Sequence, residues 1–201
     1  MHNIEINSDF TRFRSAFLEE NSKHNLISKN DEKFLWEKHI YDSLGIKLFF
    51  EKYKILPKTI LDIGCGGGFP CVPIAIEYPE INVTGIDSIH KKINSVSAIK
   101  EKLGLNNLEL ICDRVENIKD KKFDLVVSRA VADMSKIAEY ALPLVKKGGY
   151  FVAYKSKKVS AELEAAKNVL KKYGGELVDI IEYRLPLEEI YERNLVCIKK
   201  R

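Results

Sequence analysis

The sequence predicts an α/β fold, a mainly parallel seven-stranded sheet with helices on both faces and a helical extension in front of it. Three observations predict it. From Thr59 onward, strand-like and helix-like segments alternate five times, the order that winds a parallel sheet and covers both its faces. The strand-like runs are short and apolar, as strands buried on two sides are. The first of them runs straight into four glycines, Gly64, Gly66, Gly67 and Gly68, before a helix begins. A chain that must turn sharply at the carboxyl end of a buried strand, where such sheets bind ligands, needs residues without a Cβ.

The front, residues 1–54, is helical. Ser8 or Asp9 is placed to cap a first helix that carries Phe10, Phe13, Phe17 and Leu18 on one face. Residues 21–30 are polar and read as a connection. Asn30 or Asp31 opens a second, longer helix, in which Phe34, Leu35, Ile40, Leu44, Leu48 and Phe49 keep a helical period. Neither helix can bury its apolar face alone, so the segment is expected to pack on the domain formed by residues 55–201. In that domain the expected strands are 59–63, 82–86, 108–112, 123–128, 150–154, 177–183 and 194–199. The expected helices are 70–78, stopped by Pro79, then 89–103, ended by Gly104, then 134–145, and 159–173, ended by Gly174-Gly175. A loop containing Pro186 joins the last two strands.

Composition narrows the function classes. The chain has 201 residues, 45% hydrophobic and 31% charged, ordinary values for a globular domain. No window approaches the ~18 apolar residues of a membrane span. The start, MHNIEINSDF, has no basic head followed by an apolar run, so a cytoplasmic protein without membrane association is expected. Cys65, Cys71, Cys112 and Cys197 form no C-x-x-C pair and have no His at zinc-finger spacing. We therefore expect no metal, no disulfide, and thiols that are buried or half-buried. The net charge of +4 permits nucleic-acid binding without requiring it. Paired lysines at 91–92, 121–122, 146–147, 157–158 and 171–172 are spread along the chain, and count as a footprint only where several converge.

The glycine loop selects among cofactors. A dinucleotide loop reads G-x-G-x-x-G, but counting from Gly64 the third glycine position is Phe69. Pro70 and Pro73 remove backbone donors from the helix start, and no G-K-[ST] follows, so the loop is a poor phosphate cradle. It does satisfy D-x-G-x-G-x-G at Asp62, Gly64, Gly66 and Gly68. That pattern resembles the first motif of class I S-adenosylmethionine (SAM)-dependent methyltransferases, whose cofactor has no phosphates. On this reading the backbone passes beneath the cofactor and Asp62 meets its cationic amino group, directly or through water. Asp87 ends the second strand, 23 positions after Gly64, where an acid accepts hydrogen bonds from both ribose hydroxyls, as in dinucleotide folds. Val115 and Glu116 follow the third strand, where an adenine edge would lie.

Further motifs narrow the resemblance. The run GCGGGFPCVPIAIEYPE, preceded by Asn25-Leu26 and by His39-Ile40-x-Asp42-Ser43, and followed by Asp87-Ser88, Arg114-Val115-Glu116, Phe123-Asp124, Ser128-Arg129-Ala130, Leu142-Pro143-Leu144 and Tyr154-Lys155, is similar to the RsmG (GidB) family of 16S rRNA guanine methyltransferases. The likeness covers most of the chain. It implies a monomeric cytoplasmic enzyme that uses SAM to methylate nitrogen 7 of one guanine in 16S rRNA, free or in the small ribosomal subunit. It implies cofactor contacts at Gly64, Phe69, Asp87, Val115, Glu116 and Arg129. Cys65 stands where the family usually has Thr or another small residue, and Cys71 and Ser156 where it has Gly; the front is also shorter than is common.

The chemistry agrees with what is missing. Nitrogen 7 carries a lone pair and no proton, so its attack on a methyl group needs alignment rather than a general base. No Ser-His-Asp or paired-carboxylate set is evident. Arg129, just after the fourth strand, is the expected acceptor-aligning residue, able to bind the cofactor carboxylate, guanine oxygen 6 or a phosphate. Lys155, ending the fifth strand, is a second candidate for RNA contact. His39, Asp42 and Ser43 share one helix face, either latching the front helix over the site or packing locally. Three other readings stay open: a SAM enzyme acting on a small molecule, a non-catalytic RNA-binding relative, and a nucleotide-linked oxidoreductase, against which the missing third glycine argues.

Overall fold

A computed structural model describes residues 4–6, 8–156 and 159–201; Lys157 and Lys158, one of the basic pairs, lie outside the described residues. Seven strands, β1 (Thr59–Ile63), β2 (Asn82–Asp87), β3 (Leu108–Cys112), β4 (Phe123–Arg129), β5 (Val145–Ser156), β6 (Gly175–Arg184) and β7 (Glu192–Lys200), form one sheet in the order β3-β2-β1-β4-β5-β7-β6. The first five run parallel, and β7 inserts antiparallel between β5 and β6. Strand order reverses between β1 and β4, which makes a crevice at their carboxyl ends. The register fixes what meets there. Ile63 is opposite Ile86 on one side and Ser128 on the other, so Gly64, Asp87 and Arg129 leave the sheet side by side. Because β7 runs the other way, its first residues join the same edge, with Arg193 opposite Ser156.

The front consists of α1 (Thr11–His24), the short α2 (Lys29–Glu32), a π-helical turn (Leu35–Tyr41) and α3 (Ile46–Tyr53). It packs on one face of the sheet with α4 (Cys71–Glu77) and α5 (His90–Leu103); α6 (Met134–Ala141) and α7 (Ser160–Lys172) cover the other. Alternation along β1 serves both layers, with Ile60 in the first core and Leu61 and Ile63 in the second. The front is tied down by apolar and polar contacts together. Phe13 and Phe17 pack on Phe69 of the glycine loop, at ring separations of 5.8 and 5.0 Å. The Lys47 ammonium meets the Glu77 carboxylate at 2.6 Å, both nearly buried.

The structure departs from the sequence expectations in several places. The second helix is not continuous. Ser28 caps its start by accepting from the Asp31 N–H at 3.2 Å, and the π turn then interrupts it before α3. The apolar period records which face is buried, not the hydrogen-bond pitch, and a π turn widens the helix locally. At α1, Ser8 is no cap, because its N–H donates to Glu77 and its hydroxyl to the Ile76 carbonyl. Asp9 accepts from the Thr11 N–H at 2.8 Å instead. Helix α6 stops at Ala141 and Pro143 leads a 3-10 turn into β5, which begins at Val145, earlier than the apolar run. Cys65, Cys71 and Cys197 are buried, but Cys112 is exposed at the end of β3. No helix among the described residues is long and apolar enough to cross a membrane.

Candidate active site

At the carboxyl ends of β1, β2 and β3 lies an open cleft of about 460 Å³, lined by Gly64, Gly66, Asp87, Lys92, Val115 and Glu116 among others. The loop that floors it is pinned by its own backbone, since Gly64 and Cys65 both donate to the Ile86 carbonyl, at 2.8 and 3.0 Å. Gly64 has φ +72°, and a Cβ there would stand 2.5 Å from the Val131 side chain. Both conditions strain any other residue there. At Gly66, φ +54°, a Cβ would meet only ordinary contacts, the Gly64 carbonyl at 3.9 Å and Lys92 Nζ at 4.0 Å. The Asp87 carboxylate lies at the rim, where Oδ2 accepts from the Gly66 N–H at 2.9 Å and Oδ1 from the Ile89 N–H at 2.8 Å. It therefore holds the loop in position while each oxygen retains a further lone pair. Val115 and Glu116 sit on a 3-10 turn after β3 and form the opposite wall.

Asp62 lies one layer deeper. It is fully buried; Oδ2 accepts from the Cys71 N–H at 3.1 Å, and Oδ1 has no partner among the described residues. Burial pushes its carboxyl up to about 7, against the pull of the Cys71 N–H and of Arg129. A buried carboxylate oxygen without a donor among the described residues, beneath a glycine-rich loop, suits a cationic ligand group.

A second cleft of about 250 Å³ adjoins the first, and Ala130 lines both. Its wall is built around Asp42, which is 2% exposed. Asp42 Oδ2 accepts from Arg129 at 2.9 Å, and Oδ1 from the Tyr183 hydroxyl at 2.6 Å and Arg193 Nε at 3.0 Å. One carboxylate facing two guanidiniums leaves the group with one net positive charge. Arg129 also donates to the Lys38 carbonyl at 3.0 Å and lies over the Phe69 ring. Its contact with His39 Nδ1, at 3.3 Å, requires that nitrogen to accept, because a guanidinium only donates. Burial, and then the neighbouring Arg129 charge, lower His39 to about 4, so the ring is neutral at pH 7. After Arg129, Ala130 turns at φ +56°, a left-handed conformation rare outside glycine, and this places Val131 over Gly64.

The predicted residues thus fall into groups. Gly64, Gly66, Asp87, Val115 and Glu116 line the first cleft, and Arg129 lines the second. Gly68 packs under the loop against Val72 and Val96. Phe69 is buried among Phe13, Phe17 and His39, so its ring backs the loop and Arg129 rather than lining either cleft. Lys155 binds Glu162 and the Ala132 carbonyl, both at 2.6 Å, which braces the loop after β4. Asp42 and His39 latch the front to Arg129, whereas Ser43 bonds its own helix, donating to the His39 carbonyl. Sequence reading missed Arg193 and Tyr183. Their only sequence signal is polar chemistry at the sheet-edge ends of the last two strands, and it becomes visible once β7 is known to run antiparallel.

A sheet in this order, with a glycine loop after β1 and an acid after β2, defines a class I SAM-dependent methyltransferase fold. Solved structures of that kind superpose on it. Magnesium protoporphyrin IX methyltransferase from Synechocystis PCC 6803, with bound SAM, gives a TM-score of 0.68 at 15% identity over 100% of both chains. The ribosomal protein L11 methylase from Lactobacillus delbrueckii subsp. bulgaricus gives 0.58 at 16% identity, over 80% of this chain and 79% of that one. At such identity the likeness extends to the fold alone. The family model GidB, rRNA small subunit methyltransferase G, matches residues 6–193, and the chain belongs to that family. The ribosomal RNA small subunit methyltransferase G of Staphylococcus saprophyticus is 38% identical over 100% of this chain and 86% of its own length. That of Exiguobacterium sibiricum is 40% identical, covering 96% and 82%.

Proposed function

We propose that this protein transfers the methyl group of SAM to nitrogen 7 of a guanine in 16S rRNA, acting in the cytoplasm as a monomer on free rRNA or on the small ribosomal subunit. The observation that carries this reading is the junction at Ala130 of two clefts of different character. One has the bare backbone and carboxylates that suit a cationic nucleoside, and the other has a guanidinium wall that suits an RNA base. The SAM fit rests on Oδ1 of Asp62, which has no partner among the described residues, and on the uncrowded surroundings of Gly66. Asp87 accepts from the ribose hydroxyls, Asp62 meets the ammonium, Val115 and Glu116 flank the adenine, and Gly64, Gly66 and Gly68 let the main chain approach. Bound SAM supplies an electrophilic methyl on a sulfonium.

The chain's own part is alignment. Among the described residues, Arg129 Nε and one NH2 proton have no partner, while its other three donors are fixed by Lys38, Asp42 and His39. A guanidinium held in this way donates to guanine oxygen 6, which leaves nitrogen 7 free. It rejects adenine, whose amino group at that position is itself a donor. No base is required, and the neutral, buried His39 is not asked to be one. The deciding experiment incubates the protein with methyl-labelled SAM and unmodified 16S rRNA, free and in 30S subunits, and maps the product. Label at nitrogen 7 of one guanine is expected. SAM binding without label in either RNA would overturn the reading and favour a small-molecule acceptor.

The Asp62 assignment gives a pH signature. If its carboxylate pairs with the cofactor's ammonium, binding releases the proton that burial retains up to about 7. SAM affinity then rises as pH approaches about 7, by roughly tenfold per unit at most, and levels off once Asp62 is already ionised in the free protein. Calorimetric titration at constant ionic strength should show this rise in the wild type and its loss in Asp62→Asn. A rise that survives the substitution would remove Asp62 from the site.

A further inference from the structure

We propose that Tyr191 is the stacking platform on which the acceptor guanine rests, a role that builds on the acceptor reading of the second cleft. Tyr191 lines that cleft together with Arg129, Arg193 and Ala130. It also lines the neighbouring groove with Phe34 and Lys38, so its ring forms the ridge between them. It is 46% exposed, a high value for so large an apolar surface. Among the described residues its ring stacks on no other aromatic and its hydroxyl makes no hydrogen bond. Its backbone is fixed: the Tyr191 carbonyl accepts from the Leu185 N–H at 3.0 Å, which closes the 185–191 loop, and β7 starts at the next residue. The backbone that carries the ring is therefore anchored, and the side chain it carries is half exposed.

The other ring in the cleft, His39, is engaged by Arg129 and packed on Phe69. Apart from Ala130 and Leu185, the remaining wall is charged, and its guanidinium donors read an edge at oxygen 6. A guanine drawn from RNA loses its stacking neighbours, and an aromatic face in the protein is the usual replacement. Tyrosine supplies that face with little side-chain entropy to lose. Because Ala130 joins this cleft to the cofactor cleft, a base with its edge on Arg129 and its face on Tyr191 lies beside the proposed methyl donor.

The test compares Tyr191→Phe, Tyr191→Leu and Tyr191→Ala with wild type on unmodified 30S subunits, measuring kcat and KM, SAM affinity and thermal unfolding. Phe keeps the ring face and should stay within about twofold of wild type. Leu keeps apolar bulk without the face, and Ala keeps neither. Both should lose roughly ten- to a hundredfold in kcat/KM, with SAM affinity and Tm unchanged. Wild-type kcat/KM in the Leu or Ala variant overturns the proposal, as does a Phe variant as impaired as Ala, which would make the hydroxyl the working group. A wild-type protein that binds SAM but methylates no RNA overturns the acceptor reading itself, a result distinct from either.

Discussion

Asp87→Ala will bind SAM at least a hundredfold more weakly than the wild type. The carboxylate stands at the rim of the cofactor cleft, fixed by the N–H groups of Gly66 and Ile89. It has lone pairs left for two ribose hydroxyls. Hydrogen bonds to a charged acceptor contribute roughly 1.5–3 kcal/mol each, and two of them correspond to a hundredfold or more. Removing the carboxylate also leaves the Gly66 N–H unpartnered, which loosens the loop just where the main chain must approach the cofactor. Asp87→Asn separates the two effects. It keeps one oxygen for Gly66 but loses the charge and one acceptor, so it should fall between Ala and wild type. Isothermal calorimetry of the three proteins, with thermal unfolding as a control for the fold, makes the comparison. Near-wild-type affinity in Asp87→Ala would place the ribose elsewhere.

The place of Asp87 at the cleft was legible in the sequence because its position is set locally. It ends an apolar run, the glycine loop ends the neighbouring run, and parallel pairing in a βαβ unit brings the two ends together. The same logic made the α/β sheet legible, since the central strands β1, β2 and β4 are short and largely buried runs. The second helix was not legible in detail. Phe34, Leu35 and Ile40 repeat with a helical period whether the turn is α or π, and the widened turn is what brings His39 and Asp42 to Arg129. Arg193, Tyr183 and Tyr191 were out of reach for a different reason. They reach the site through antiparallel pairing of β7 with β5 and β6, contacts far apart in sequence that local pattern does not encode. Phe69 and Lys155 were picked out by motif. Their side chains support the site from behind, a distinction that depends on packing against α1 and α7.

Asp42→Ala should be the most destabilising single change at the site. The side chain is buried and accepts from Arg129, Tyr183 and twice from Arg193, at 2.6 to 3.1 Å. Its removal leaves two guanidiniums facing each other without a counter-charge, which typically costs about 3–5 kcal/mol, against a total stability of about 5–15 kcal/mol for a domain. The pH dependence carries the sign of a stabilising carboxylate. Burial alone would raise the Asp42 pKa, but Arg193 and Arg129 overcome it and hold the group below its usual 3.8. The unfolded chain therefore binds this proton first. The contribution is fully present above the unfolded value and is lost as pH falls through the folded one. In denaturant titrations the gap between wild type and Asp42→Ala should stay constant from pH 7 to 5 and shrink below about 4. The double variant Asp42→Ala/Arg193→Leu distinguishes structure from function. Removing one of the two opposed charges should recover part of the stability, because apolar replacement of a buried pair is tolerated far better than breaking it. Methyl transfer should not recover, since Arg129 has lost the anchor that orients it toward the acceptor base. A double variant that regains activity along with stability would mean that Asp42 is only a strut, and that Arg129 needs no carboxylate to be aimed.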